Sequence, residues 1–157
     1  MKLNIIAVGQ KMPKWVNDAF SEYQKRMPKE MEILLKEVAV APRKNNQNKE
    51  KLQAAEWKKQ NALLPDKGIV VALDEKGKQW STKEWATQLE TWMLETNQVS
   101  FLLGGPDGLC NEAKSKANQF ISLGKMTMPH GLARVVLVEQ LYRAYSLYKG
   151  HPYHREG

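Results

Sequence analysis

The chain holds one cysteine, Cys110, among its 157 residues, so no intrachain disulfide framework is available and the thiol reads as a small apolar filler. No apolar run approaches the ~20 residues of a membrane span. The start, Met1-Lys2-Leu3-Asn4-Ile5-Ile6-Ala7-Val8, has too short an apolar core for a signal peptide and lacks a convincing cleavage site, so a cytoplasmic location is expected. Several ligand signatures are missing. There is no G-x-G-x-x-G after the first apolar segment, no G-x-x-x-x-G-K-[ST] phosphate loop and no G-x-S-x-G nucleophile elbow. No Cys/His spacing resembles a zinc site, and no metal is expected. Repeats, low-complexity tracts and linkers are also lacking, which leaves residues 1–157 as a single domain with one core.

The charge is abundant and uneven. The net charge is +7, and residues 1–68 hold 14 Lys/Arg against 8 Asp/Glu, whereas residues 69–157 hold 10 against 9. A basic half suits a polyanionic partner, nucleic acid being the commonest, and equally suits a solubilising surface.

The apolar pattern alternates between strand and helix. Strands are expected over residues 2–8, 31–40, 68–74 and 98–103, and the nearly unbroken apolar run from Ile69 to Leu73 fits a strand covered on both faces. Helical spacing marks residues 13–27 (Trp15, Val16, Ala19, Phe20, Tyr23, Met27) and a weaker face through Leu52, Ala55 and Leu63. Ser81 with Glu84 forms a capping box for a helix to about residue 95. A short helix is expected over 111–119, a short fifth strand at Met126-Thr127-Met128, and the longest helix over 131–148. This alternation predicts an α/β fold with a mostly parallel sheet and helices on both faces. The last helix is apolar on more than one stripe (Leu132, Val135, Val136, Leu137, Val138, Leu141, Tyr142, Tyr145), as in a helix buried by a second subunit or at the centre of a core.

Three segments could carry chemistry. Phe101-Leu102-Leu103-Gly104-Gly105-Pro106-Asp107-Gly108 reads as a buried strand opening into bare backbone, where α/β proteins place ligands, although a tight turn alone would use the same residues. Leu123-Gly124-Lys125-Met126-Thr127-Met128-Pro129-His130 exposes backbone before the last helix, and such a stretch is also an ordinary loop. The tail, His151-Pro152-Tyr153-His154-Arg155-Glu156, gathers an imidazole that can move protons near neutral pH, a guanidinium that can fork onto phosphate and an aromatic ring that can stack on a base. Two imidazoles without carboxylate or thiolate company make a poor metal site, and tail residues are often idle.

In this order along the chain, Ala7-Val8-Gly9-Gln10-Lys11, Leu102 to Gly108, Lys125 to His130, Glu139-Gln140-Leu141-Tyr142-Arg143-Ala144 and His151 to Arg155 resemble the RlmH family, the minimal SPOUT-class methyltransferases of large-subunit ribosomal RNA. The resemblance spans the whole chain. It implies S-adenosyl-L-methionine as methyl donor and transfer to N3 of a pseudouridine in helix 69 of 23S rRNA, with the assembled ribosome as substrate. It also implies a homodimer and a SPOUT-type trefoil knot in the C-terminal half. Carried over by motif, the donor pocket uses Leu73, Gly104, Gly105, Leu123, Gly124, Lys125, Met126, Thr127 and Met128.

The donor is already activated, so the residues expected to matter for catalysis are those that position the base and handle its proton. His154 is the candidate for the N3 proton and Tyr153 for stacking on or bonding the base. Arg155 and Arg143 are candidates for phosphate or the developing oxyanion. Arg43, Lys44, Lys49, Lys51, Lys58 and Lys59 form the basic segment expected on RNA phosphates. Two other readings fit the residues alone: a non-catalytic RNA-binding protein, and a methyltransferase of the same class acting on tRNA.

Overall fold

Each strand alternates its side chains between two apolar layers, and that alternation builds the molecule. The computed structural model describes residues 1–43 and 48–155. The chain runs β1 (Lys2–Val8), α1 (Lys14–Gln24), β2 (Glu32–Val38), α2 (Lys49–Leu63), β3 (Ile69–Gln79), α3 (Thr82–Glu95), β4 (Gln98–Leu103), α4 (Asn111–Lys116), β5 (Gln119–Ser122) and α5 (His130–Tyr148), with 3-10 turns at Lys29–Met31 and Pro152–Arg155. The sheet has the order β2-β1-β4-β3-β5, and every pairing is parallel. Ile5, Val71 and Phe101 enter one core with Phe20, Trp85, Leu89, Trp92, Leu137 and Leu141. Their neighbours Ile6, Val70, Ala72 and Leu102 enter the other with Trp57, Leu109 and Ala113. The helices therefore lie on both faces, as the alternation of elements predicts.

Local chemistry fixes the elements. Ser81 accepts from the Glu84 amide at 3.1 Å while the Glu84 carboxylate accepts from the Ser81 amide at 3.1 Å, closing the expected capping box. The helix behind it stacks Trp85 and Trp92 against Phe101, with Trp80 edge-on to Trp85 at 4.9 Å. The weak apolar face of α2 has a different cause. Its inward residues include Gln60, whose amide donates to the Ile6 and Leu103 carbonyls at 3.0 and 3.1 Å, so a polar side chain ties together β1 and β4 at their carboxyl ends.

Two sequence expectations fail here. The helix expected over 111–119 stops at Lys116, and the fifth strand is Gln119–Ser122 rather than Met126-Thr127-Met128. Asn118 makes the change. Its backbone amide donates to the Val70 carbonyl and its side-chain carbonyl accepts from the Val70 amide, each at 2.7 Å. The chain is thereby spliced onto β3 as soon as the helix ends. Beyond β5 the Ser122 hydroxyl holds a turn with Gly124, whose φ is +137°. Residues 123–128 then leave the sheet, and Met126 stands 80% exposed.

Beta-3 itself is irregular. Leu73 and Lys78 both pair with Ile121, and the residues between them bulge outward. Gly77 passes so close to β5 that a Cβ there would lie 2.6 Å from the Ile121 nitrogen. Among the described residues no helix is long and apolar enough to cross a membrane.

Candidate active site

The carboxyl ends of β1, β3 and β4 meet the first turn of α5, and the loop after β5 comes down beside them. Two adjoining cavities of about 160 and 210 Å³ share Leu73, Leu123 and Ala133. The first is walled by Val8, Leu103, Gly104, Gly108, His130 and Arg134, and the second by Ser122 to Met128 with Asp74 and Glu75. Glycine is needed at 104 because the loop folds back on itself. The Gly108 amide donates to the Gly105 carbonyl at 2.9 Å, and a Cβ on Gly104 would lie 2.5 Å from the Gly108 carbonyl carbon. The result is a wall of main chain flanked by leucines, with room for a nucleoside-sized ligand. Backbone amides and carbonyls can read the edge of a purine, and Leu73, Leu123 and Met128 can cover its faces.

Of the residues expected at a donor pocket, Leu73, Gly104, Leu123, Gly124, Lys125, Met126, Thr127 and Met128 all line these cavities. Gly105 sits beneath the wall, buried, where a Cβ would press on Val8 and on the Glu56 carboxylate. Gly108, His130 and Arg134 also line the cleft and lie outside the expected set. Arg134 was detectable from sequence. It falls on the stripe Arg134, Leu137, Val138, Leu141, so a helix that buries those residues also buries a guanidinium.

The tail lies elsewhere. Tyr153 donates to Glu139 Oε1 at 3.2 Å, its hydroxyl is 3.2 Å from that of Tyr23, and its ring meets Tyr142 edge-on at 4.8 Å. Burial, the Tyr23 hydroxyl and the nearby Glu139 carboxylate hold this phenol well above its ordinary range. Arg143 donates to Glu139 at 2.7 Å and stacks 4.8 Å above the Tyr153 ring. Burial opposes its charge, but the hydrogen bond and attraction of Glu139 outweigh that and raise its pKa. The His154 Nδ1 is buried with no hydrogen-bond partner among the described residues, whereas Arg155 is exposed. Glu139 is nine residues beyond His130 along α5, about 13 Å at 1.5 Å per residue. One chain therefore brings Tyr153, His154 and Arg143 together but does not bring them to its own cleft.

The basic segment is spread along α2. Lys49, Lys51, Lys58 and Lys59 are exposed, Arg43 is paired with Asp107 at 2.7 Å, and Lys44 lies outside the described residues. Among the described residues no three His, Cys, Asp or Glu side chains are grouped to hold a metal ion.

The parallel sheet with helices on both faces, and the cleft at its carboxyl edge with a wall of bare main chain at Gly104 and Gly108, fit the SPOUT class of methyltransferases. The family described as "Predicted SPOUT methyltransferase" matches residues 1–154, and the chain belongs to it. Within that class, the Ribosomal RNA large subunit methyltransferase H of Paraburkholderia phymatum is 45% identical over 155 residues, covering 99% of both chains. The protein of the same name from Burkholderia ambifaria is 46% identical over the same span. A solved structure of a probable methylase family protein from Haemophilus influenzae Rd KW20 superposes with a TM-score of 0.54. That match covers 96% of this chain and 68% of the other at 12% identity, and it speaks for the fold alone. Membership makes the chain an enzyme of methyl transfer and sets aside the reading as a non-catalytic RNA binder.

Proposed function

We propose that the chain methylates N3 of a pseudouridine in helix 69 of 23S rRNA, with S-adenosyl-L-methionine as donor and the assembled cytoplasmic ribosome as substrate. The observation that carries this reading is the glycine-walled cleft where Leu73, Gly104 and residues 123–128 converge, in a chain with near-full-length relatives named as ribosomal RNA methyltransferases. Those names also favour rRNA over tRNA. The proposal includes a trefoil knot in the C-terminal half, as the resemblance to the SPOUT class implies.

When bound, the donor supplies a methyl group already activated as a sulfonium. The chain's task is to hold the base in line with it and to manage one proton. Positioning of this kind is worth up to ~7–11 kcal/mol in ideal cases. His154, with its free buried Nδ1, takes the N3 proton. Exposed Arg155 meets phosphate. Tyr153 and Arg143, locked together by Glu139, form the rigid floor that aims the tail.

Because the tail docks far along its own α5, the site is completed by the tail of a second copy. The unburied apolar side of α5, with Leu132, Val135 and Val136, is the face proposed for that homodimer. Mass-spectrometric mapping of 23S rRNA from cells lacking the chain, with and without its restoration, tests the reading. The expected result is one methyl group lost from a helix 69 pseudouridine and regained on restoration. An unchanged rRNA would overturn it.

A further inference from the structure

Arg134 is 1% exposed, yet it lines the cleft assigned above to the donor. A guanidinium buried this far must be paired, since an isolated charge away from water is strongly unfavourable. Its Nη1 pairs with the Glu37 carboxylate on β2, and its Nη2 donates to the Gly9 carbonyl at 2.7 Å. Glu37 remains 30% exposed, so the pair reaches from the cleft wall to solvent. Gly9, with φ +122°, keeps its carbonyl within reach of Arg134.

A cleft with a fixed cation in its wall is a poor host for a second cation. Accepting the donor reading, the bound sulfonium is that second cation, and the thioether left after transfer has lost the charge. We infer that Glu37 is the charge-balancing residue of the donor cleft: by neutralising Arg134 it admits the cationic donor, and the pair sets the preference between S-adenosylmethionine and S-adenosylhomocysteine. The carboxylates Asp74 and Glu75 line the second cavity and not the one that Arg134 lines, and Asp74 is 3.4 Å from Lys114. Among the described residues the hydrogen-bond and ion-pair partners of Arg134 are Glu37, Val8 and Gly9, and neither Asp74 nor Glu75 is one of them.

The test is calorimetric titration of the full-length protein with each of the two compounds. Glu37→Gln keeps the shape and removes the negative charge. It should weaken S-adenosylmethionine by about tenfold more than S-adenosylhomocysteine, the scale of one unit charge acting across a partly solvated wall. Arg134→Gln should shift the ratio the other way, and the double variant Glu37→Gln/Arg134→Gln should return it to that of the natural protein.

Equal losses for both compounds in both single variants would overturn the proposal, leaving the pair a plain structural tie. If one single variant fails to fold, the other decides alone: a ratio shifted in its stated direction upholds charge balance, and the natural ratio overturns it. Failure of the natural protein to bind either compound would instead refute the donor reading itself.

Discussion

The cleft and the tail hang on the same helix and are made of different material. At the first turn of α5 the cleft is walled by main chain, glycine and leucine, with Arg134 neutralised by Glu37. Beyond the middle of α5 the tail is a cluster of rings and charges: Tyr23, Tyr142, Tyr153, Arg26, Arg143 and Glu139. The first region presents bare main chain, and at Gly104 it leaves no room for an added atom. The second presents polar and aromatic side chains and keeps its geometry by pairing inward. Under the proposed function a donor needs a fixed seat, whereas an RNA base must be drawn out and held, and the two materials suit those two proposed tasks. Changes in one region should accordingly spare the other.

The largest effect expected is at the backbone wall. Gly104→Ala puts a methyl group 2.5 Å from the Gly108 carbonyl carbon, and neither partner is a flexible side chain that can step aside. Donor affinity measured by calorimetry should fall at least about a hundredfold, and overpacking of this kind costs ~1–3 kcal/mol of stability. The tail's tyrosine ultraviolet spectrum should stay unchanged. Near-natural affinity in the folded variant would show that the wall does not define the site.

Next in size is the join between copies. Val136→Arg places a charge on the half-exposed apolar side of α5 and should abolish both dimerisation, read by sedimentation, and methylation. Full activity in a proven monomer would mean that each chain completes its own cleft. His154→Ala should then lower kcat by about 10²-fold, the low end for loss of a positioned proton acceptor, with donor affinity unchanged. A matching loss of donor affinity would erase the distinction between the two regions.

A pH titration sharpens the tail alone. The Tyr153 phenol is raised above its ordinary value of 10.0 by burial, Tyr23 and Glu139. Above pH 10 the folded chain therefore holds a proton that the unfolded chain releases, so stability present below pH 10 should decline as pH rises further. Tyr153→Phe should remove that part of the decline, measured as Tm against pH. An unchanged slope would detach Tyr153 from the tail's docking.

Much of this was legible in the residues. Alternating apolar segments gave the parallel sheet, and Gly104 to Gly108 marked its open edge. The fifth strand escaped because its signal is one side chain: Asn118 pairs twice with Val70 across 48 residues, which no local pattern displays. Met126 and Met128 misled because their apolar character serves the loop over Leu73 and not a sheet. Arg134 could be read as a charge on the buried stripe of α5, but its partner could not, because Glu37 is 97 residues away. The tail's residue types were plain, but its docking on Glu139 and Tyr23 depends on tertiary contacts.

The smallest effect expected lies outside both regions, on α2. Lys49 and Lys58 are exposed and belong to neither cleft wall nor tail. Reversing both to glutamate should leave donor affinity and tail docking untouched and weaken only the encounter with rRNA. Each lost phosphate contact lowers the slope of log affinity against log salt by about 0.7–0.9, so the double variant should flatten the salt dependence of methylation and approach the natural rate at low salt. Identical salt profiles for the two proteins would place the RNA on another face, and would leave the surplus of charge in residues 1–68 as a solubilising surface.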